Sequence, residues 1–196
     1  VRYRIHEHVG KTPDVRHSLI RECLTAYGVN GGVEIVVASD VPARGSGLGA
    51  SSALACALCL ALEKYTGHGP DFAPSYAPAE EVRTARKMIA ERASRIEIDG
   101  CQSPIGKQDH YASALGGMNF LKFYPDGTVS VKRQERDDFL TEINGQSMLL
   151  YLDMDRQYKG NVFVQKILRE QVDEMGGRLG VYRLQADNAV QMREHM

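Results

Sequence analysis

A glycine-rich run joins an extended apolar segment to a helix with almost no polar face, and this junction limits the fold more than any other stretch. Val33-Glu34-Ile35-Val36-Val37 is rich in β-branched residues and reads as a strand. Asp40-Val41-Pro42 ends it, because proline cannot donate to a central ladder. Arg44-Gly45-Ser46-Gly47-Leu48-Gly49 follows and runs into residues 50–65, apolar nearly all round and so expected to form a buried helix. Glycines lack a Cβ, so consecutive backbone N–H groups can turn toward one point. The helix behind them begins with N–H groups that have no intrahelical partner and with the positive end of its dipole. Such a junction is an anion site suited to phosphate. Ser51 and Ser52 add hydroxyls in the first helical turn, able to bind phosphate oxygens or a magnesium ion.

Phosphate loops of different families make different demands. A Walker A loop needs a lysine directly after its last glycine, and none stands here. The dinucleotide pattern G-x-G-x-x-[GA] is met formally by Gly45, Gly47 and Ala50. It also requires an apolar strand ending in an acid about 20 residues on. Asp71 has that spacing, but Gly67-His68-Gly69-Pro70 precedes it, so a dinucleotide-dependent oxidoreductase is the weaker reading.

The rest of the chain mixes both periodicities. Residues 1–7 alternate and read as a strand. A helix is expected to open at Pro13-Asp14, with Val15, Leu19, Ile20, Cys23, Leu24 and Tyr27 on one face, and to close at Gly28. A polar amphipathic helix is expected over 79–96, a turn over 99–104 and a short helix over 106–115, ended by Gly116-Gly117. Segments 118–123 and 128–132 bracket Pro125-Asp126-Gly127, a hairpin signal. A further strand is expected over 147–152, and helices over 162–175 and 184–195. Strands early and late with helices between favour an α+β fold over a doubly wound sheet.

The bulk properties narrow the partners. A formal charge of −1 offers no basic surface for nucleic acid. There is no run of about 18 apolar residues for a membrane span, and the charged, alternating start is unlike a secretory signal. The four cysteines are Cys23, Cys56, Cys59 and Cys101. The Cys56-x-x-Cys59 pair lies inside the apolar helix with no second pair, so core thiols are expected rather than a zinc or redox site. Few cysteines without an export signal fit a cytoplasmic protein.

Pro42-Ala43-Arg44-Gly45-Ser46-Gly47-Leu48-Gly49-Ala50-Ser51-Ser52-Ala53 resembles the phosphate loop of the GHMP kinases, Pro-x-x-x-Gly-Leu-Gly/Ser-Ser-Ser-Ala, with one more spacer residue. Pro104-Ile105-Gly106-Lys107-Gln108-Asp109, followed by an aromatic residue, small residues and Gly116-Gly117, resembles the branch holding D-glycero-D-manno-heptose 7-phosphate kinases and fucokinase-like enzymes. Asp14-Val15-Arg16-His17-Ser18-Leu19, Leu149-Leu150-Tyr151-Leu152 and Arg156 are also similar to that branch. Ala50 stands where a Ser is usual and His110 where a Gln is usual. Leu152-Asp153-Met154-Asp155 departs from the family segment before Arg156.

The resemblance implies a two-part α+β fold with ATP between the halves: residues 1–145 as the N-terminal part and 146–196 as the start of the C-terminal part. The first segment of one and the end of the other are expected to lie beyond this sequence, because the chain opens in an expected strand without Met and closes in an expected helix. It further implies that Gly45, Gly47, Leu48, Gly49, Ala50, Ser51 and Ser52 hold ATP phosphates, that Ser51 and Glu97 hold Mg²⁺, and that Asp109 is the catalytic acid beside the acceptor hydroxyl. Lys107 either assists Asp109 or a phosphate, or is a surface lysine. His17 and Arg156 are candidate sugar contacts, each with a plainer reading as a surface group. The implied activity is an ATP- and Mg²⁺-dependent sugar kinase acting on the anomeric hydroxyl of D-glycero-D-manno-heptose 7-phosphate. Another sugar kinase, fucokinase- or galactokinase-like, and a non-catalytic sensor of ATP or sugar on the same fold are the alternatives.

Overall fold

The computed structural model describes residues 7–39, 48–67, 79–134 and 137–148. It divides into two compact units, Val1–Leu115 and Gly116–Met196. The first is helical among its described residues, and the second holds a hairpin and a helix, so the fold is α+β. The expected division at 145/146 lies at the edge of the described residues and remains a proposal.

In the first unit, a 3-10 turn (Thr12–Asp14) precedes α1 (Ser18–Ala26), α2 (Ala50–Thr66), α3 (Ala79–Arg95) and α4 (Gln108–Leu115). A π turn, Ile96–Gly100, directly follows α3. The helix expected to open at Pro13 is interrupted: Val15 is extended, with ψ 121°, and α1 begins at Ser18. Side chains take up the backbone groups freed there. The Arg21 guanidinium donates to the Val15 carbonyl at 2.9 Å, and the Glu7 carboxylate accepts the Arg16 N–H at 2.8 Å. The expected close holds. Gly28 takes φ +67°, its N–H donates to Thr25 O at 3.1 Å, and the Val29 N–H donates to Leu24 O at 2.9 Å. That is a Schellman closure, which needs the left-handed residue that glycine supplies.

The core gathers Leu19, Cys23 and Leu24 of α1, Ala55, Cys56, Leu58, Cys59 and Leu62 of α2, Ile89 and Ala93 of α3, and Ile96 of the π turn. These recur at helical spacing, so each helix turns one stripe inward. Cys23, Cys56 and Cys59 are thus core thiols, and Cys101 is half-buried. Burial pushes the Cys56 thiol up to about 12. α4 packs on both α2 and α3. Helix α2 is not covered all round as its composition suggested. Among the described residues Ala53, Ala57, Leu60 and Ala61 are exposed, Leu60 by 43%. Its neighbours among the described residues fill one side only, and alanine leaves little apolar area open on the other.

Residues 33–39 form no ladder among the described residues. Val33 and Ile35 pack half-buried against the helical core while Glu34, Val36 and Val37 are exposed, so the alternation holds only as far as Val36. The strand expected over residues 1–7 lies almost entirely outside the described residues.

In the second unit, β1 (Asn119–Phe123) pairs antiparallel with β2 (Val129–Arg133), from Asn119 opposite Arg133 to Phe123 opposite Val129. The turn is where Pro125-Asp126-Gly127 placed it. Gly127 takes φ +82°, and the Asp126 Oδ1 accepts the Thr128 N–H at 2.9 Å and its hydroxyl at 2.7 Å. A helix that the sequence reading did not assign, α5 (Asp137–Gln146), follows. The strand expected over 147–152 has no assignment at 147 and 148, and its remainder, with both later helices, lies outside the described residues.

Candidate active site

The site is built at the N-terminus of α2. Gly49 is the N-cap, held at φ +68°, and no side chain caps the helix. Its carbonyl accepts the Ala53 N–H at 2.9 Å, which leaves the N–H groups of the first turn without an intrahelical acceptor. A Cβ on Gly49 would lie 3.4 Å from the Asp109 Cβ and 3.5 Å from its Cγ and Oδ2. The Asp109 carboxyl therefore lies beside Gly49 at the mouth of α2. The left-handed φ is what calls for glycine here; a Cβ would meet Asp109 at ordinary van der Waals distance. Asp109 itself, in the first turn of α4, is exposed.

Glu97 approaches the same helix end from beneath. It sits in the π turn, an arrangement often found at functional sites, and is only 6% exposed. His110 Nε2 lies 2.8 Å from its Oε2, and the Ser52 hydroxyl donates to the same oxygen at 3.4 Å. The nearby Ser51 hydroxyl also favours the charged form of this carboxylate. Burial alone would push the carboxyl up, but His110, Ser51 and Ser52 together outweigh it and hold Glu97 below the ordinary glutamate value.

A second acid fixes the segment that carries Asp109. The Glu91 carboxylate, on α3, accepts the Lys107 ammonium at 3.0 Å and the hydroxyl of the buried Tyr111. Burial raises Glu91, yet the Tyr111 hydroxyl and the Lys107 ammonium pull it below its ordinary value. Burial and the carboxylate beside it push the Tyr111 phenol up. Residues 107–111 are thus tied to α3 on one side while Asp109 faces α2 on the other.

Of the residues singled out in the sequence, the structure brings together Gly49, Ala50, Ser51, Ser52, Glu97 and Asp109. Leu48 lies just before Gly49 with 48% of its surface exposed. Lys107 is held by Glu91. His17 is the exposed N-cap of α1 and makes no side-chain cap bond. Gly45, Gly47 and Arg156 lie outside the described residues. Glu91, His110 and Tyr111 do not stand out in the sequence as parts of the site. The one signal there is His110 standing in place of a usual Gln; Glu91 meets Lys107 only through the packing of α3 on α4.

Ser51 and Glu97 suit a magnesium ion chemically. Both offer oxygen ligands, they lie close enough for Ser51 to favour the charged form of Glu97, and the phosphate-suited helix end lies beside them. Among the described residues no three His, Cys, Asp or Glu side chains gather into a metal site. Magnesium does not require such a cage, since it commonly takes one or two protein carboxylates and completes its shell with water and substrate phosphates.

Residues 16–117, just over half of the chain, match the GHMP kinases N terminal domain, and the chain belongs to the GHMP kinase family. It is 38% identical over 120 residues to a mevalonate kinase of Methanothermobacter thermautotrophicus, covering 60% of this chain and 32% of that protein. It is 30% identical over 122 residues to the D-glycero-alpha-D-manno-heptose 7-phosphate kinase of Campylobacter jejuni, covering 62% of this chain and 32% of that one. A homoserine kinase of Streptomyces coelicolor is 30% identical over 134 residues, 66% of this chain and 37% of its own. The chain thus spans about a third of the length of these curated relatives. No solved structure matches it at a significant level. Among the described residues no helix is long and apolar enough to cross a membrane.

Proposed function

We propose that this chain carries the phosphate-binding and catalytic half of an ATP- and Mg²⁺-dependent sugar kinase, with the anomeric hydroxyl of D-glycero-D-manno-heptose 7-phosphate as acceptor. The observation that carries the reading is the approach of the Asp109 carboxyl to Gly49 at the N-terminus of α2. An anion-binding helix end and an exposed acid beside it are what phosphoryl transfer to a hydroxyl requires, since that chemistry rests on positioning and electrostatics. The first-turn N–H groups of α2 and the Ser51 and Ser52 hydroxyls orient the ATP phosphates. Asp109 takes the acceptor proton or polarises the hydroxyl as its oxygen attacks the γ-phosphorus and the bond to the bridging oxygen of ADP breaks. Ser51 and Glu97 would hold Mg²⁺, which offsets charge on the transferring phosphoryl group.

The acceptor rests on the likeness of residues 104–117 to the heptose-phosphate branch and on the relative that bears that name. A mevalonate acceptor is the second reading, favoured by the 38% identity to the mevalonate kinase. The test is ATP consumption against a panel of sugars, sugar phosphates, mevalonate and homoserine, with Mg²⁺ and with EDTA. Magnesium-dependent turnover on the heptose phosphate supports the proposal. Turnover on mevalonate or homoserine keeps the kinase and overturns the sugar. ATP binding without turnover on any acceptor overturns catalysis in favour of a sensor.

A further inference from the structure

The His110–Glu97 pair is poorly explained as core filling. His110 is wholly buried, yet its Nδ1 has no hydrogen-bond partner among the described residues. Stranding a polar atom in a dry interior costs about 1–3 kcal/mol, and an apolar side chain of similar volume would avoid that cost. What the imidazole adds is a donor. Its Nε2 lies 2.8 Å from Glu97 Oε2, against 3.4 Å for the Ser52 hydroxyl on the same oxygen. A carboxylate can only accept, so Nε2 carries the hydrogen. The backbone under the ring is pinned as well, because the Cys56 thiol of α2 donates to the His110 carbonyl at 3.5 Å. The imidazole is thus fixed against α2 while it grips the buried acid of the site.

We propose that His110 is a positioning residue: it holds the Glu97 carboxylate in the orientation that meets Ser51, and so sets how tightly the site binds the divalent cation that accompanies the nucleotide. The role rests on the kinase reading above. Being wholly buried, His110 acts only through Glu97. Removing the hydrogen-bond partner of a metal-binding side chain typically weakens metal affinity by about 10- to 100-fold.

The test is Mn²⁺ binding to the full chain, with and without ADP, followed by the electron paramagnetic resonance signal of the free ion. His110→Met is expected to weaken Mn²⁺ binding in the presence of ADP by about 10- to 100-fold, while His110→Gln, whose amide N–H can replace Nε2–H, stays within about threefold of the parent. In a Glu97→Gln background, His110→Met is expected to change the affinity no further. Should His110→Met fail to fold, His110→Asn, with an amide too short to reach the carboxylate, replaces it under the same expectations. Unchanged affinity in the variant lacking the donor, or fully additive losses with Glu97→Gln, overturns the proposal. If the parent binds Mn²⁺ with ADP and turns over an acceptor, that result sinks only the role of His110. A parent that binds no Mn²⁺ with ADP sinks the kinase reading and this role together.

Discussion

Glu97 and Asp109 meet the same end of α2 and are held in opposite ways. Glu97 is 6% exposed in a π turn, with its charge kept by His110, Ser51 and Ser52. Asp109 is exposed, and its side chain lies beside Gly49, at van der Waals distance from where a Cβ would stand. The contrast follows from the work proposed for each. An acid that must stay ionised and oriented is stabilised by buried donors. An acid that must meet an incoming hydroxyl has to stay open, so it is positioned through its neighbours Lys107 and Tyr111, which Glu91 holds.

That contrast can be broken by substitution. Asp109→Asn is expected to have the largest effect, a loss of about 10²- to 10⁴-fold in kcat with ATP affinity nearly unchanged, read by steady-state turnover and nucleotide titration. A variant with full kcat would remove the open acid from the comparison. Gly49→Ala comes next. The left-handed φ costs a side chain about 1–2 kcal/mol, while the new methyl would meet Asp109 at an ordinary contact distance of 3.4 Å. We expect a lower Tm with kcat little changed, because Asp109 is not forced to move. A kcat lowered by about 10-fold or more would show that relaxing the strained cap displaces the acid.

Glu91→Gln is expected to have a similar effect, about 1–2 kcal/mol of stability, since bonds from Lys107 and Tyr111 to a charged acceptor become bonds to a neutral one. The pH dependence carries a sign. Glu91 lies below its ordinary value in the folded chain, so the unfolded chain binds more protons. The stability from this group is complete above the ordinary glutamate value of about 4.3 and is lost as pH falls through the lower folded one. Urea melts should therefore show a shallower acid-side decline for Glu91→Gln than for the parent. Equal declines would mean that Glu91 does not anchor residues 107–111. Ser52→Ala should matter least, about 0.5–1 kcal/mol, because its contact with Glu97 is long at 3.4 Å and His110 remains. A larger loss would move the grip on Glu97 from the imidazole to the hydroxyl.

Much of this site is legible in the amino-acid sequence, though unevenly. Gly49, Ser51, Ser52, Glu97 and Asp109 all follow from two short motifs and the resemblance they carry, and the structure brings them to one helix end. The grip on them is not legible there. His110 reaches Glu97 across 13 residues and Lys107 reaches Glu91 across 16, both through the fold of α3, the π turn and α4. Nothing in Ile96-Glu97-Ile98-Asp99-Gly100 announces a π turn. The early break in α1 depends on Glu7 and Arg21 capturing backbone groups, which propensity does not weigh. Helix α5 could have been read, since Phe139, Leu140 and Ile143 recur at helical spacing.

The sequence by itself determined the punctuation of the chain: the left-handed cap at Gly49, the Schellman close at Gly28 and the turn at Asp126-Gly127. Each depends on one residue's φ or on hydrogen bonds spanning a few positions, so local chemistry suffices. Only the tertiary structure decided which acid is buried, which donors keep it charged and which helix end the other acid faces. Those outcomes depend on desolvation and on distances between helices, and neither exists until α3 and α4 pack against α2.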